Sequence, residues 1–285
     1  MTPLLAPEFV RELEALGRLL RTRTRSGGAG SRTARRRGRG MEFEEHRAYT
    51  AGDDVARLDW LAFARTGQPV SKEHRADEDS ILRLLLDGSA SLGFGSPTKL
   101  EMTTRVAASM AYLALAAGHR VQVVTASGGA SSALPAHRGR PALGSVLDEL
   151  SALEPFGKVL LADAIRRVLA IAERPGELVV LSDFFDEGEV LDSLTRARHA
   201  GHALTLVHVL APGELEPALE GDVALVDAET GEAVDVSPES IAAYEKRLSA
   251  LCDALSGFAR KTGSHYVRAS TAEPLLGVVR RVVAG

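Results

Sequence analysis

Residues 81–91 read ILRLLLDGSAS, an apolar run that stops at one carboxylate, Asp87, followed by two hydroxyls, Ser89 and Ser91. The run is short for a helix and nearly without polar residues, which fits a strand covered on both faces. Residues 178–183, LVVLSD, repeat the pattern and end in Ser182 and Asp183.

Outward from these two runs, helix and strand alternate. Val106, Met110 and Leu113 mark a helix over Pro97–Ala117, VQVVT from Val121 is a strand, and Ala142–Leu153 and Leu161–Glu173 are helical. A helix over Glu187–His199, the strand ALTLVHVL from Ala203 and a hairpin turning at Thr230 and Gly231 follow. Ser237 and Pro238 then open a helix whose Ile241, Tyr244, Leu248, Leu251 and Leu255 line one face until Gly257. A strand at His265–Val267 and a terminal helix complete the chain. This order predicts an α/β fold with a doubly wound, mostly parallel sheet and helices on both faces.

Before residue 80 the texture changes. Phe9, Leu13, Leu16 and Leu20 fall on one stripe of a predicted helix over Pro7–Leu20, which needs a partner surface. Residues 18–39 hold nine arginines and no acid, interspersed with glycine, a composition that resists burial. Residues 41–79 carry ten acids against five Lys and Arg, with Phe43, Tyr49, Trp60 and Phe63 as anchors. Asp59 and Gly67 bracket a short capped helix there, and Val70–Arg75 is expected to neighbour Ile81–Asp87 as a strand. The expected organisation is therefore an N-terminal helix with a basic segment over 1–40, an accessory element over 41–79 and an α/β domain over 80–285.

Composition narrows the function. The net charge of −4 confines any nucleic-acid role to the tract 18–39. Cys252 is the only cysteine, which excludes an intrachain disulfide framework and a cysteine-rich zinc site. Glu8, Arg11, Glu12 and Glu14 interrupt the N-terminus where a signal peptide needs an apolar stretch, so a cytoplasmic protein is expected.

In doubly wound sheets ligands sit beyond the carboxyl ends of the strands. Asp87, Ser89 and Ser91 can converge on one point, with Asp183 approaching from a neighbouring strand. Such hard oxygens suit a small divalent cation like magnesium, although the same residues also serve to cap a following helix.

The DxSxS pattern with a later strand ending in Asp resembles the metal-ion-dependent adhesion site of von Willebrand factor A-type domains. The run from Gly38 to Gly95, with Glu42, Phe43, Arg47, Tyr49, Gly52, Asp53, Arg57, Asp59, Trp60, Ala64 and Arg65 in order, resembles a narrower family, domain of unknown function 58. The resemblance implies a von Willebrand factor A-like fold and a binding function, in an adaptor working with a MoxR-type AAA+ ATPase on a client protein. It implies magnesium at Asp87, Ser89, Ser91 and Asp183, and a partner-facing rim at the loops around Phe94 and Phe184. Where complete sites supply a threonine, the segment GKVLLADAIRRV places Val159, which has no oxygen to give. Lys158 stands beside it, and its ammonium is a candidate to neutralise Asp87 and Asp183 in place of a cation. Magnesium and an ammonium both remain open as occupants.

Other classes find less support. The arginine tract could neutralise phosphates without sequence preference, but it has no aromatic residue for base stacking and adjoins an acidic segment on which it could lie as a strap. GGAGS at 27–31 lacks the GK[ST] ending of a phosphate-binding loop, and DGSAS lacks the G-x-S-x-G turn of a hydrolase. His199 and His202 have no third ligand at metal spacing and read as surface or capping residues; His46 and His74 read as structural. Arg47, Asp53, Asp54, Arg57 and Asp59 read as an ion-pair lattice, with a docking surface as the alternative.

Overall fold

The computed structural model describes residues 4, 6–26, 45–48, 70–73, 80–186, 189–217, 224–226, 233–235 and 237–284. They fall into two compact units, one made by the N-terminal helix together with the chain from Ile81 onward, the other by residues 25–80.

In the first unit, helix α1 spans Pro7–Ser26. It runs six residues past the expected end, into the arginine tract, because arginine is a good helix former. Phe9, Leu13 and Leu16 are fully buried in a core they share with Met102, Val106 and Met110 of a later helix. That core is the partner surface these three residues require; the side chain of Leu20 lies outside the described residues.

The second unit contains two described strands, β1 (Glu45–Ala48) and β2 (Val70–Glu73), paired antiparallel from Glu45 opposite Glu73 to Ala48 opposite Val70. The strand expected beside Ile81–Asp87 thus pairs with β1 instead. The apolar run at 81–87 is buried along its whole length and takes parallel partners on both sides, leaving no edge to offer. The short helix expected after Asp59, the proposed lattice at Arg47, Asp53, Asp54, Arg57 and Asp59, the side chains of His46 and His74, and the tract from Gly27 to Arg39 lie outside the described residues.

From Ile81 the chain alternates as expected: β3 (Ile81–Asp87), α2 (Lys99–Ala116), β4 (Arg120–Ser127), β5 (Ala130–Ala133), β6 (His137–Arg138), α3 (Leu143–Ser151), α4 (Leu161–Ile171), β7 (Glu177–Ser182), α5 (Val190–His199), β8 (Ala203–Leu210), the single turn α6 (Pro212–Leu215), β9 (Ala224–Val226), β10 (Ala233–Asp235), α7 (Pro238–Thr262), β11 (His265–Ser270) and α8 (Leu275–Val283). The sheet order is β11-β8-β7-β3-β4-β5, with β6 also on β4. Neighbours from β11 to β4 are parallel, whereas β5 and β6 run antiparallel to β4, a small edge hairpin that the sequence pattern did not signal. β9 and β10 pair antiparallel, and the expected turn at Thr230 and Gly231 lies outside the described residues.

Alternate residues of each strand enter two separate cores. Leu82, Leu84, Leu86, Val179 and Leu181 face α1, α2, α3 and α8, while Leu85, Leu178 and Val180 face α4, α5 and α7. Both faces are covered, as the apolar runs required. Helix α7 opens at Ser237, whose side chain accepts from the Ser240 amide at 3.2 Å, and continues through Gly257 to Gly263, where φ is +64°. A mid-helix glycine costs only about 1 kcal/mol, and the left-handed C-terminal position is the one that calls for glycine.

The chain enters the sheet at β3, moves to β4 on one side, then returns to β7 and on to β8 and β11 on the other. The switch in direction lies between β3 and β7, where a doubly wound sheet opens a crevice at its carboxyl edge.

Candidate functional site

Asp87 ends β3 and Asp183 follows β7, so the two acids stand on either side of that switch. Both are buried, at 5% and 2% exposure. Asp87 Oδ1 accepts the Ser89 amide at 2.8 Å, and its Oδ2 accepts the Ser182 hydroxyl at 2.5 Å. Ser182 in turn accepts the Phe184 amide at 2.8 Å. Ser89 Oγ lies 3.0 Å from Ser91 Oγ, which donates to Asp183 Oδ2 at 2.8 Å. The four residues expected to converge are therefore joined in one hydrogen-bond chain.

A fifth residue completes it. Lys99, the first residue of α2, donates from Nζ to Asp183 Oδ2 at 2.7 Å and to Glu214 Oε1 of α6 at 2.5 Å. Its side chain is 1% exposed. Glu214 Oε2 is itself held by the Ala211 amide at 2.7 Å. Three carboxylates, Asp87, Asp183 and Glu214, thus share this edge with one buried ammonium.

The electrostatics follow from burial. Loss of water, then the adjacent Asp183 charge, pushes the Asp87 carboxyl up to about 6 against the hydrogen bonds from Ser182 and Ser89. Burial opposes the Lys99 charge, but Asp183 and Glu214 outweigh it and hold the ammonium above the usual lysine value. For Glu214 burial wins, and its carboxyl sits above the usual glutamate value despite Lys99. His208, fully buried on β8, is pushed down to about 4 by burial. Its Nδ1 meets the Tyr266 hydroxyl at 2.9 Å, with Cys252 Sγ at 3.9 Å, so it is a neutral core histidine.

The loops fit around this cluster. The Ala90 amide donates to Gly157 O at 2.8 Å, which brings the segment carrying Lys158 and Val159 beside Ser89 and Ser91. Val159 is buried, at 7% exposure, in the core with Leu161 and Ile165, and lends no oxygen to the edge. Lys158 is exposed, and the ammonium placed against Asp183 is that of Lys99. This ammonium comes from the first turn of α2, a position that the four free amides of a helix N-terminus would disfavour without acidic partners. That mismatch is the one hint of Lys99 in the sequence, and it names no partner.

Phe94 is exposed at 52%. Phe184 is not on the rim. Its backbone turns left-handed at φ +54°, the ring points inward to 2% exposure, and it meets His208 edge-on with centroids 5.6 Å apart. Phe185, 40% exposed, takes the outer position, with Lys99 Nζ 6.0 Å from its ring centroid. Phe156 and Leu160, at 69% and 45%, lie on the neighbouring loop. Four large apolar side chains thus project from loops at one edge of the sheet.

His199 and His202 are not paired: His199 is exposed, whereas His202 is buried and accepts the Gly176 amide at 3.4 Å. Among the described residues no group of three or more His, Cys, Asp or Glu is placed to hold a metal ion. A divalent ion fits the observed donors poorly. Asp183 Oδ2 already takes a hydroxyl and an ammonium, both Asp87 oxygens are engaged, and the third loop supplies valine.

The family model for the protein of unknown function DUF58 matches residues 45–250. The chain belongs to the DUF58 family. It is 35% identical over 202 residues to uncharacterized proteins of Mycobacterium tuberculosis and Mycobacterium bovis, covering 68% of this chain and 62% of those relatives. This DUF58 chain spans about three fifths of the length of the curated relatives it matches. Among solved structures it is similar to the conserved hypothetical protein BatB from Bacteroides thetaiotaomicron, at 15% identity and a TM-score of 0.46, covering 72% of this chain and 98% of that one. An aerotolerance-related membrane protein from Bacteroides fragilis aligns at 15% identity and a TM-score of 0.47, covering 72% and 97%. The SpRpn10 VWA domain aligns at 14% identity and 0.43, covering 70% and 93%. Among the described residues no helix is long and apolar enough to cross a membrane.

Proposed function

We propose that this DUF58 chain is a cytoplasmic, non-catalytic binding module whose contact surface is the carboxyl edge of its sheet. The observation that carries the reading is the exposure of Phe94 and Phe185 beside a hydrogen-bonded cluster of buried charge. Large aromatic side chains held out from loops on a stiff scaffold are typical anchors of protein interfaces. The cluster fixes the loops that present them: Asp87, Ser182 and Asp183 pin the turn that carries Phe185, and Ser89 and Ser91 pin the loop that leads to Phe94.

The partner in this reading is a MoxR-type AAA+ ATPase, with the chain acting as its adaptor toward a client in assembly or remodelling. Support for that partner comes from membership of the DUF58 family and the A-type resemblance of the DGSAS edge. Magnesium, which the same resemblance implies, is not required by the reading, because the anchors are side chains.

Affinity capture with the tagged full-length chain tests it. A hexameric ATPase should be recovered by the wild type and by Val283→Ser, which alters an exposed residue of α8. The ATPase should be lost from Phe94→Ser combined with Phe185→Ser. Equal recovery by all three would reject the rim as the contact surface.

A further inference from the structure

Lys99 is an unusual choice for its position. It is the first residue of α2, directly after the N-cap Thr98, where the helix dipole and free amides favour an anion. Its side chain is 1% exposed, so the ammonium has exchanged its water for protein partners. Those partners are two carboxylate oxygens from separate elements, Asp183 Oδ2 at 2.7 Å and Glu214 Oε1 at 2.5 Å. Glu214 is in turn fixed through its second oxygen by the Ala211 amide. Three segments, the start of α2, the end of β7 and the turn after β8, thus converge on one positive charge.

That charge stands against Asp183, one of the acids a cation at this edge would need. Asp183 Oδ2, which Ser91 turns its hydroxyl toward at 2.8 Å, is the oxygen Lys99 has taken. The neighbouring Val159 adds no donor. We propose that the Lys99 ammonium is the resident cation of this adhesion-site-like edge, anchored by Glu214, and that the DUF58 chain works without a divalent ion there. A covalently tethered cation cannot be chelated, exchanged or lost by dilution. Nor does it stand open to a carboxylate from an incoming protein, since two of its three donors are taken by Asp183 and Glu214 and it is shielded from solvent. Recognition is thereby transferred from a metal–carboxylate bond to the surrounding side chains.

The inference rests on reading this edge as the functional one, but its test does not involve a partner. The probe is Mn2+ titrated into the full-length chain and followed by electron paramagnetic resonance of the free ion. The wild type should leave the free-ion signal undiminished into the millimolar range. Lys99→Ala, which frees Asp183 Oδ2, should acquire one site at least tenfold tighter, and that site should vanish when Asp183→Asn is added. Wild-type Mn2+ binding that Asp87→Ala or Asp183→Asn abolishes would overturn the proposal. So would a folded Lys99→Ala that binds no better than the wild type. Should Lys99→Ala not fold, the wild-type titration decides alone: an undiminished signal upholds the proposal and a site dependent on Asp183 refutes it. Failure of the rim reading would instead appear in the Phe94 and Phe185 variants, with the manganese result unchanged.

Discussion

Lys99 Nζ and Asp183 Oδ2 lie 2.7 Å apart with both side chains shielded from water, at 1% and 3% exposure. Removing one member of such a pair leaves the other charge buried without compensation. Here the loss would strand two acids, Asp183 and Glu214.

Lys99→Met keeps most of the side-chain volume and deletes the charge. It should lower stability by about 3–5 kcal/mol, measured by denaturant unfolding. Adding Asp183→Asn and Glu214→Gln should recover much of that loss. A Lys99→Met protein as stable as the wild type would show that the pair is not structural.

The N-terminal helix is part of the α/β core. Leu13 is fully buried against residues of α2, and Gly17 sits so close to α2 that an added Cβ would lie 2.8 Å from Tyr112 Cε1. Leu13→Ala should cost about 2–5 kcal/mol in the unfolding of the domain as a whole. A separate, earlier transition for α1 would contradict the shared core.

Acid titration separates two buried groups that oppose each other. Asp87 ionises near 6 in the fold, above the ordinary 3.8, so its contribution falls as pH rises from about 4 to 6. His208 protonates near 4 instead of 6.5, so its contribution rises with pH across about 4 to 6.5. Each amounts to about 3 kcal/mol over its window, and they largely cancel in the wild type. Asp87→Asn should expose a stability that climbs with pH, and His208→Gln one that declines. Melting temperatures collected from pH 4 to 7 read both slopes; parallel curves for the three proteins would refute the assignment.

The two acids were legible in the sequence because each ends an apolar run, and the rule that ligands gather at a topological switch needs no side-chain detail. Lys99 was not legible. Its bond to Asp183 spans 84 positions, and its place at a helix N-terminus names no partner, whereas Lys158 beside Val159 offered a nearer candidate. The choice between Phe184 and Phe185 for the rim turns on one left-handed residue after Ser182, a conformation that a non-glycine sequence does not advertise. The β5–β6 edge was missed for a related reason: ASSA and the pair at His137 have no apolar alternation to mark them as strands.

The rim substitutions should be silent in the fold. Phe94 and Phe185 are 52% and 40% exposed, so exchanging them for serine should move stability by no more than about 0.5–1 kcal/mol. Differential scanning calorimetry checks this, and a larger loss would mean that the rings support the loops rather than await a partner.

The most direct test of the account is a binding titration of the purified full-length chain with a MoxR-type ATPase in buffer containing EDTA. Binding that persists without divalent ions and weakens at least tenfold in the Phe94→Ser, Phe185→Ser double variant is the predicted result. Equal affinity for wild type and double variant would contradict it.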